Sequence, residues 1–235
     1  MKLLAIDTSG TVCGVAVLRD DMVCCEHMVQ NKRTHSVNLL PMIDEALSAS
    51  GLEPAQLDRL AVVTGPGSFT GVRLGVSTAK GLAHGAGLPC VAVDALEAMA
   101  AGAGAFSGLI CPIQDARAGQ VYAAAFRWGA ERPERVLPDQ PIRVEDLAEK
   151  LLAMEAPCLF LGDGMPVHRA RLAELMGERA VFAAPQLASL RPASVAVLGA
   201  VTEETLDYTA LMPMYLRAPS AERNKKLMEA AREQQ

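Results

Sequence analysis

Lys2-Leu3-Leu4-Ala5-Ile6-Asp7 is an apolar run that stops at a carboxylate, and Leu109-Ile110-Cys111-Pro112-Ile113-Gln114-Asp115 repeats the device, Asp115 standing 108 residues after Asp7. A turn and an alternating β-branched run at residues 14–18 follow the first. Met22–Val29 comes next, beyond the tight Arg19-Asp20-Asp21 turn. After the second come Ala116-Arg117-Ala118-Gly119 and a further run at residues 121–127, at the same offset. Short strands joined by tight turns form antiparallel meanders. Each run therefore opens a lobe, and the expected fold class is α/β with two duplicated βββαβα lobes. The Gly/Ala stretch at 100–105 sets the boundary, giving residues 1–103 and 104–217, with a charged tail at 218–235.

Between the two meanders the period changes. Residues 36–50 read as a helix with Leu40, Ile43 and Leu47 on one stripe; Pro41 lies in its first turn or kinks it, and Gly51 ends it. A strand at 60–64 leads into Gly65-Pro66-Gly67-Ser68-Phe69-Thr70-Gly71, a long helix runs to about residue 87, and a buried strand occupies 89–93. Asp94-Ala95-Leu96-Glu97 has the pattern of a capping box. In the second lobe we expect helix Val144–Leu152, strand Cys158–Leu161, the turn Gly162-Asp163-Gly164, a helix at 167–176, a short strand at Val181 and a helix at 194–205. The tail is rich in helix formers, docked or frayed.

Composition narrows the functional classes. At 51% hydrophobic and 4% aromatic, the chain builds its core from Ala, Val, Leu and Met, which suits helices on sheets better than an aromatic-rich sandwich. A net charge of −5 argues against a broad basic surface, so nucleic acid is not expected to be gripped by this chain alone. No apolar run is long enough for a membrane span, and Asp7 comes too early for a signal peptide; the expectation is a cytoplasmic chain. The six cysteines form no C-x-x-C pair and the four histidines no helical ligand pair, so no metal site is expected. There is no Gly-x-Ser-x-Gly elbow and no Walker lysine, and we assign no catalytic residue.

Three turns are candidates for a cleft: Asp7-Thr8-Ser9, the loop carrying Gly65, Gly67 and Ser68, and Gly162-Asp163-Gly164. Glycines permit close backbone approach, and a helix N-terminus favours anions. The helix after the second turn adds another signal. Gly71, Gly75 and Ala79 fall four residues apart as a stripe without bulk, with Val72 and Val76 beside it. A helical glycine costs about 0.8–1 kcal/mol relative to Ala, so two of them need a compensating contact, within the chain or in a second one.

Leu4-Ala5-Ile6-Asp7-Thr8-Ser9, the segment from Thr64 through Gly71-Val72-Arg73-Leu74-Gly75, Asp115-Ala116-Arg117 with Val121-Tyr122, and Pro213-Met214-Tyr215-Leu216-Arg217 together resemble the TsaB family. The resemblance spans nearly the whole chain. It implies the actin-like, sugar-kinase-like ATPase fold and a role in making threonylcarbamoyladenosine in transfer RNA. The implied partners are a TsaD-type catalytic subunit and a TsaE-type ATPase, with transfer RNA engaged only through the assembly and a homodimer when the partner is absent. Where the catalytic sibling resembles His-x-x-x-His, its metal pair, this chain has Asp94-Ala95-Leu96-Glu97-Ala98, and where the sibling has a Gly-Gly turn, this chain has Asp163. The resemblance therefore implies a non-catalytic subunit with no cofactor and weak nucleotide binding. The expected partner surface is the helix pair carrying Leu40, Ile43 and Leu47 and carrying Gly71, Val72, Gly75, Val76 and Ala79. The competing readings are an ATP-dependent phosphotransferase using Asp7 and the glycine turns, and a peptidase.

Overall fold

The computed structural model describes residues 1–31 and 34–217. The tail at 218–235, with its docked-or-frayed question, lies outside the described residues. Two five-stranded sheets are built alike. In the first, β1 (Lys2–Asp7) is central, antiparallel to β2 (Cys13–Arg19) and parallel to β4 (Arg59–Gly65), with β3 (Met22–Val29) and β5 (Cys90–Asp94) at the edges. In the second, β6 (Leu109–Asp115) is central, antiparallel to β7 (Gln120–Trp128) and parallel to β9 (Cys158–Leu161), with β8 (Pro133–Arg143) and β10 (Ala180–Phe182) outermost. Both sheets thus run third-second-first-fourth-fifth in order of appearance.

Alternation along the central strand sorts its side chains between two cores. Leu4 and Ile6 face α1 (His35–Ala49) and α2 (Phe69–Ala86), while Leu3 and Ala5 face the molecule's centre. All four are fully buried, and each leucine or isoleucine contributes about 1.5–3 kcal/mol by leaving water. The second sheet covers its outer face with α4 (Val144–Leu152) and α5 (Met165–Met176).

Two further helices fill the space between the sheets. α3 (Ala95–Ala103) follows the first sheet in the chain, yet Leu96 and Met99 join Ile110, Phe126 and Leu161 of the second. α6 (Pro192–Val201) follows the second sheet and lies across β1 and β2 of the first. It approaches closely because the strands beneath offer Ala5, Ala16 and Ala61; a Cβ on Gly199 would collide with that of Ala61. The chain then returns to the first lobe. Leu206 exchanges both backbone hydrogen bonds with Cys90, at 2.7 and 2.8 Å, and Met214 donates to the Thr64 carbonyl at 2.7 Å.

Three sequence expectations shift. Pro41 is exposed inside a continuous α1 that begins at His35, close to the expected start, so the helix does not begin late with Pro41 in its first turn. Leu39 and Met42 are buried while Leu40 is 59% exposed, which rotates the inward stripe away from Leu40. The last helix spans Pro192–Val201 rather than 194–205. Among the described residues, no helix is long and apolar enough to cross a membrane.

Candidate functional site

Asp7, Thr8 and Ser9 leave the end of β1 inside the protein, each about 1% exposed. The Ser9 backbone N–H donates to Asp7 Oδ1 at 2.8 Å, and the Ser9 carbonyl accepts from Ser68 N–H at 2.7 Å. The loop after β4 is thereby fastened to the turn after β1. Glycine is required there: a Cβ on Gly67 would strike the Ser9 carbonyl, and one on Gly71 the Thr8 carbonyl. Thr8 Oγ1 completes the junction by donating to the Gly71 carbonyl at 2.6 Å. Ser68 caps α2, its hydroxyl accepting from Gly71 N–H at 3.3 Å.

The turn after β9 closes on the same place from the other lobe. Gly162, at φ +106°, stands over the Ile113 carbonyl, and Asp163 Oδ1 accepts from Asp115 N–H at 3.3 Å. Asp163 Oδ2 lies 3.2 Å from where a Cβ on Gly10 would sit, so the second lobe's carboxylate touches the first lobe's turn. His168 Nε2 is 3.6 Å from Asp115 Oδ1. The three turns therefore do converge, around a cleft of about 740 Å³ lined by Ser9, Gly67, Ser68, Asp115, Arg117 and Asp163 among others. Gly65 is tied in by the strap, for a Cβ there would meet the Met214 carbonyl, and Gly164 packs over Ile113.

Burial pushes the Asp7 carboxyl up to about 6, against the Ser9 N–H; His35 also favours the charged form and Asp163 opposes it. Asp163 is raised for the same first reason, with backbone N–H groups of Asp115 and Thr11 pulling it back and the Asp115 charge pushing it up. The floor is thus acidic and partly desolvated. The mouth is basic, with Arg117 on one side and Arg217, which donates to the Ala116 carbonyl at 3.3 Å, on the other. Tyr215 stacks on Phe69 with ring centres 5.0 Å apart and accepts from Arg73 Nε at 2.7 Å. Residues 206–217 therefore form a strap from the edge of β5 along α2 to the cleft. Sequence reading assigned the Pro213–Arg217 segment no role; its aromatic-cationic pairing with Phe69 and Arg73 is not a local signal.

The glycine stripe needs correcting. Gly71, Val72, Gly75, Val76 and Ala79 are buried against this chain's own strands, and a Cβ on Gly75 would stand 2.5 Å from Thr8 Oγ1. The compensating contact for the two helical glycines is intramolecular. They cannot also meet a second chain. Ile43 and Leu47 are buried too, although with Leu40 and Leu82 they line an open groove of about 780 Å³ along α1.

Residues 94–98 do not fit the metal of the catalytic sibling. Asp94 caps α3, accepting from Glu97 N–H at 2.8 Å, and Ala98 is fully buried. Glu97 does not reach back to complete a capping box; Arg135 of β8 stands 3.4 Å from Asp94 and 3.6 Å from Glu97 and also pairs with Asp139. A guanidinium occupies the carboxylates that a metal would need. Among the described residues, no three His, Cys, Asp or Glu side chains are grouped to hold a metal.

Two like sheets facing across a cleft, each sending a glycine turn to its rim, define the actin-like, sugar-kinase-like class. A ROK hexokinase from Thermus thermophilus shares this fold, at a TM-score of 0.50 and 13% identity over 86% of this chain and 99% of that one. Residues 28–225 match the family described as TsaD, tRNA N6-adenosine threonylcarbamoyltransferase. The tRNA threonylcarbamoyladenosine biosynthesis protein TsaB of Bacillus subtilis is 39% identical over 94% of this chain and 96% of its own length. YeaZ from Pseudomonas aeruginosa superposes at a TM-score of 0.77, 28% identical over 92% of this chain and 99% of that chain. The chain belongs to the TsaB family within this TsaD-like group.

Proposed function

We propose that this chain is a non-catalytic subunit in the formation of threonylcarbamoyladenosine in transfer RNA, binding and supporting a TsaD-type catalytic subunit alongside a TsaE-type ATPase. The observation that carries the non-catalytic part is the segment at 94–98, where a cap, an arginine-carboxylate cluster and a buried methyl take the space of a ligand pair. The chain works in the cytoplasm and meets transfer RNA through the assembly. Its acidic cleft floor and net charge of −5 favour neither polyphosphate nor RNA unaided.

The partner surface lies on the outward sides of α1 and α2. Val37 and Leu40 are 57% and 59% exposed there, and Leu74 and Leu82 are half-buried. Isolated, the chain pairs with a second copy through the same faces, since a homologous partner offers an equivalent helix pair. The test is reconstitution of the modification on unmodified transfer RNA. Product is expected only when this chain accompanies the TsaD-type and TsaE-type proteins, and Leu40→Asp is expected to abolish co-purification while leaving the melting temperature unchanged. Full modification without this chain would overturn the reading.

A further inference from the structure

Asp94 and Arg135 meet across the boundary between the lobes. Asp94 closes β5 of the first sheet and caps α3, whereas Arg135 and Asp139 stand on β8, the outermost strand of the second. The guanidinium pairs with Asp139, lies 3.4 Å from Asp94 and 3.6 Å from Glu97, and stands 4.8 Å from the centre of the Phe126 ring. Asp94 and Asp139 expose only 15% and 14% of their side chains. Three carboxylates thus share one cation, and two of the three are largely out of water.

The bonding of Asp94 is one-sided. Its Oδ1 accepts from Glu97 N–H at 2.8 Å, but its buried Oδ2 has no donor. The side chain within hydrogen-bonding reach of this carboxyl is the Asp139 carboxylate. Two ionised carboxylates cannot bond each other, because each only accepts. One proton held between them makes Asp94 the donor and takes one negative charge out of the cluster. In keeping with this, burial and then Asp139 push the Asp94 carboxyl up to about 7, against Glu97 N–H and Arg135. The other elements packed around the pair meet it without charge. α6 carries no ionisable side chain, β4 sets Gly65 opposite Asp94, β6 meets α3 through Ile110, and β7 supplies Phe126.

We propose that Asp94 and Asp139 share one proton, forming an acid pair drawn from the two lobes that fastens α3 to β8 and lets go when the proton is lost. The fastener sits on the helix by which the first lobe enters the core of the second, where Leu96 and Met99 join Ile110 and Phe126. Loss of the proton leaves two like charges facing each other across the lobe boundary. Once α3 is detached, Asp94 titrates near 3.8, so the grip is firmest in acid, weakens as pH rises, and levels off above about 7.

The test follows hydrogen exchange of the full chain from about pH 5 to about pH 8, corrected for the intrinsic rate of each amide. Protection of α3, read against α4 on the outer face of the second sheet, is expected to fall about tenfold per pH unit up to about pH 7 and then to level off. Asp139→Asn separates a shared proton from a merely buried one. Its amide donates to a charged Asp94, so the slope in α3 is expected to vanish. Asp94→Asn should remove the slope too, and with it one protonated-carboxyl band from the infrared spectrum at about pH 6. Two nearly isosteric changes, one in each lobe, keep the test decisive should either variant fail to fold. Protection of α3 that does not vary with pH in the wild type overturns the proposal. So does an infrared spectrum unchanged by Asp94→Asn. A slope that survives Asp139→Asn overturns it as well, because burial alone would then hold the proton and the lobes would not share it.

Discussion

Gly71 and Gly162 do the same thing in the two halves of the molecule. Each stands over a carbonyl at the end of its lobe's central strand, Thr8 in one case and Ile113 in the other, where any Cβ would collide. What the two halves build on that contact differs. In the first lobe the chain continues into α2, 18 residues long, laid flat on the sheet by Gly71, Gly75 and Ala79. In the second it continues into α5, 12 residues long, held off by Met165, Leu172 and Met176. The first turn offers backbone and a hydroxyl to the cleft, and the second a carboxylate. The shared contact fixes where a loop meets its strand. The residues beside it decide whether the resulting cleft welcomes an anion.

The largest effect is expected one turn along α2 from that contact. Gly75→Leu forces a side chain onto Thr8 Oγ1 and should cost about 3 kcal/mol, read as a melting temperature lower by roughly 10 °C. Gly162→Ala should cost about 1–3 kcal/mol, because its φ of +106° and the Ile113 carbonyl both oppose a Cβ. A neutral outcome for Gly162→Ala in a denaturant titration would end the parallel between the lobes.

Next in size is a pH effect at the junction of α3 and β8. Burial holds Asp94 up to about 7, with Asp139 pushing the same way and the Glu97 N–H and Arg135 opposing. Unfolded, the group titrates near 3.8, so between these values the folded chain holds the extra proton. Its contribution to stability is therefore greatest at the acid end and falls as pH rises through about 7. Asn keeps the helix cap but does not titrate. The melting temperature of Asp94→Asn should accordingly fall less than that of the wild type between about pH 5 and about pH 8. Parallel curves would show that Arg135 keeps Asp94 charged throughout.

Smaller again is the carboxylate that separates the two turns. ATP should bind weakly to the isolated wild-type chain, and Asp163→Gly should tighten it by about fivefold, the worth of one like charge at about 4 Å in a watery site. Calorimetry giving equal affinities would show that the turn's shape, not its charge, limits the nucleotide. The smallest effect is at Gly81, on the exposed side of α2 with open space around it. Gly81→Ala should stabilise by about 0.8 kcal/mol through helix propensity alone, opposite in sign to any substitution at Gly75.

The strands and turns were largely legible because the apolar runs ending in Asp7 and Asp115 announce both meanders. β8 was legible only through the repeat. Its eleven residues contain Pro133, Pro138 and Pro141, which argue against a strand, and the structure accommodates them at a sheet edge with register shifts opposite Ala125. The three cleft turns were identified residue by residue, since glycine clusters between strand and helix are local signals. Which way the Gly71–Gly75–Ala79 stripe faces was not readable, because a smooth stripe fits a strand or a second helix equally well. Arg135 and the strap were missed for a common reason: each acts through a partner far along the chain.

The exchange of inner helices has a consequence for the protein while it is being made. The first sheet is complete in sequence once Asp94 has been synthesised, but the face of β1 and β2 that carries Leu3, Ala5 and Ala16 is covered by α6, which is made about a hundred residues later. Until Val195 and Leu198 leave the ribosome, that apolar face has no permanent cover. The strap that finishes the rim emerges later still. The nascent chain therefore cannot fold one lobe at a time, and a fragment ending near residue 190 should aggregate.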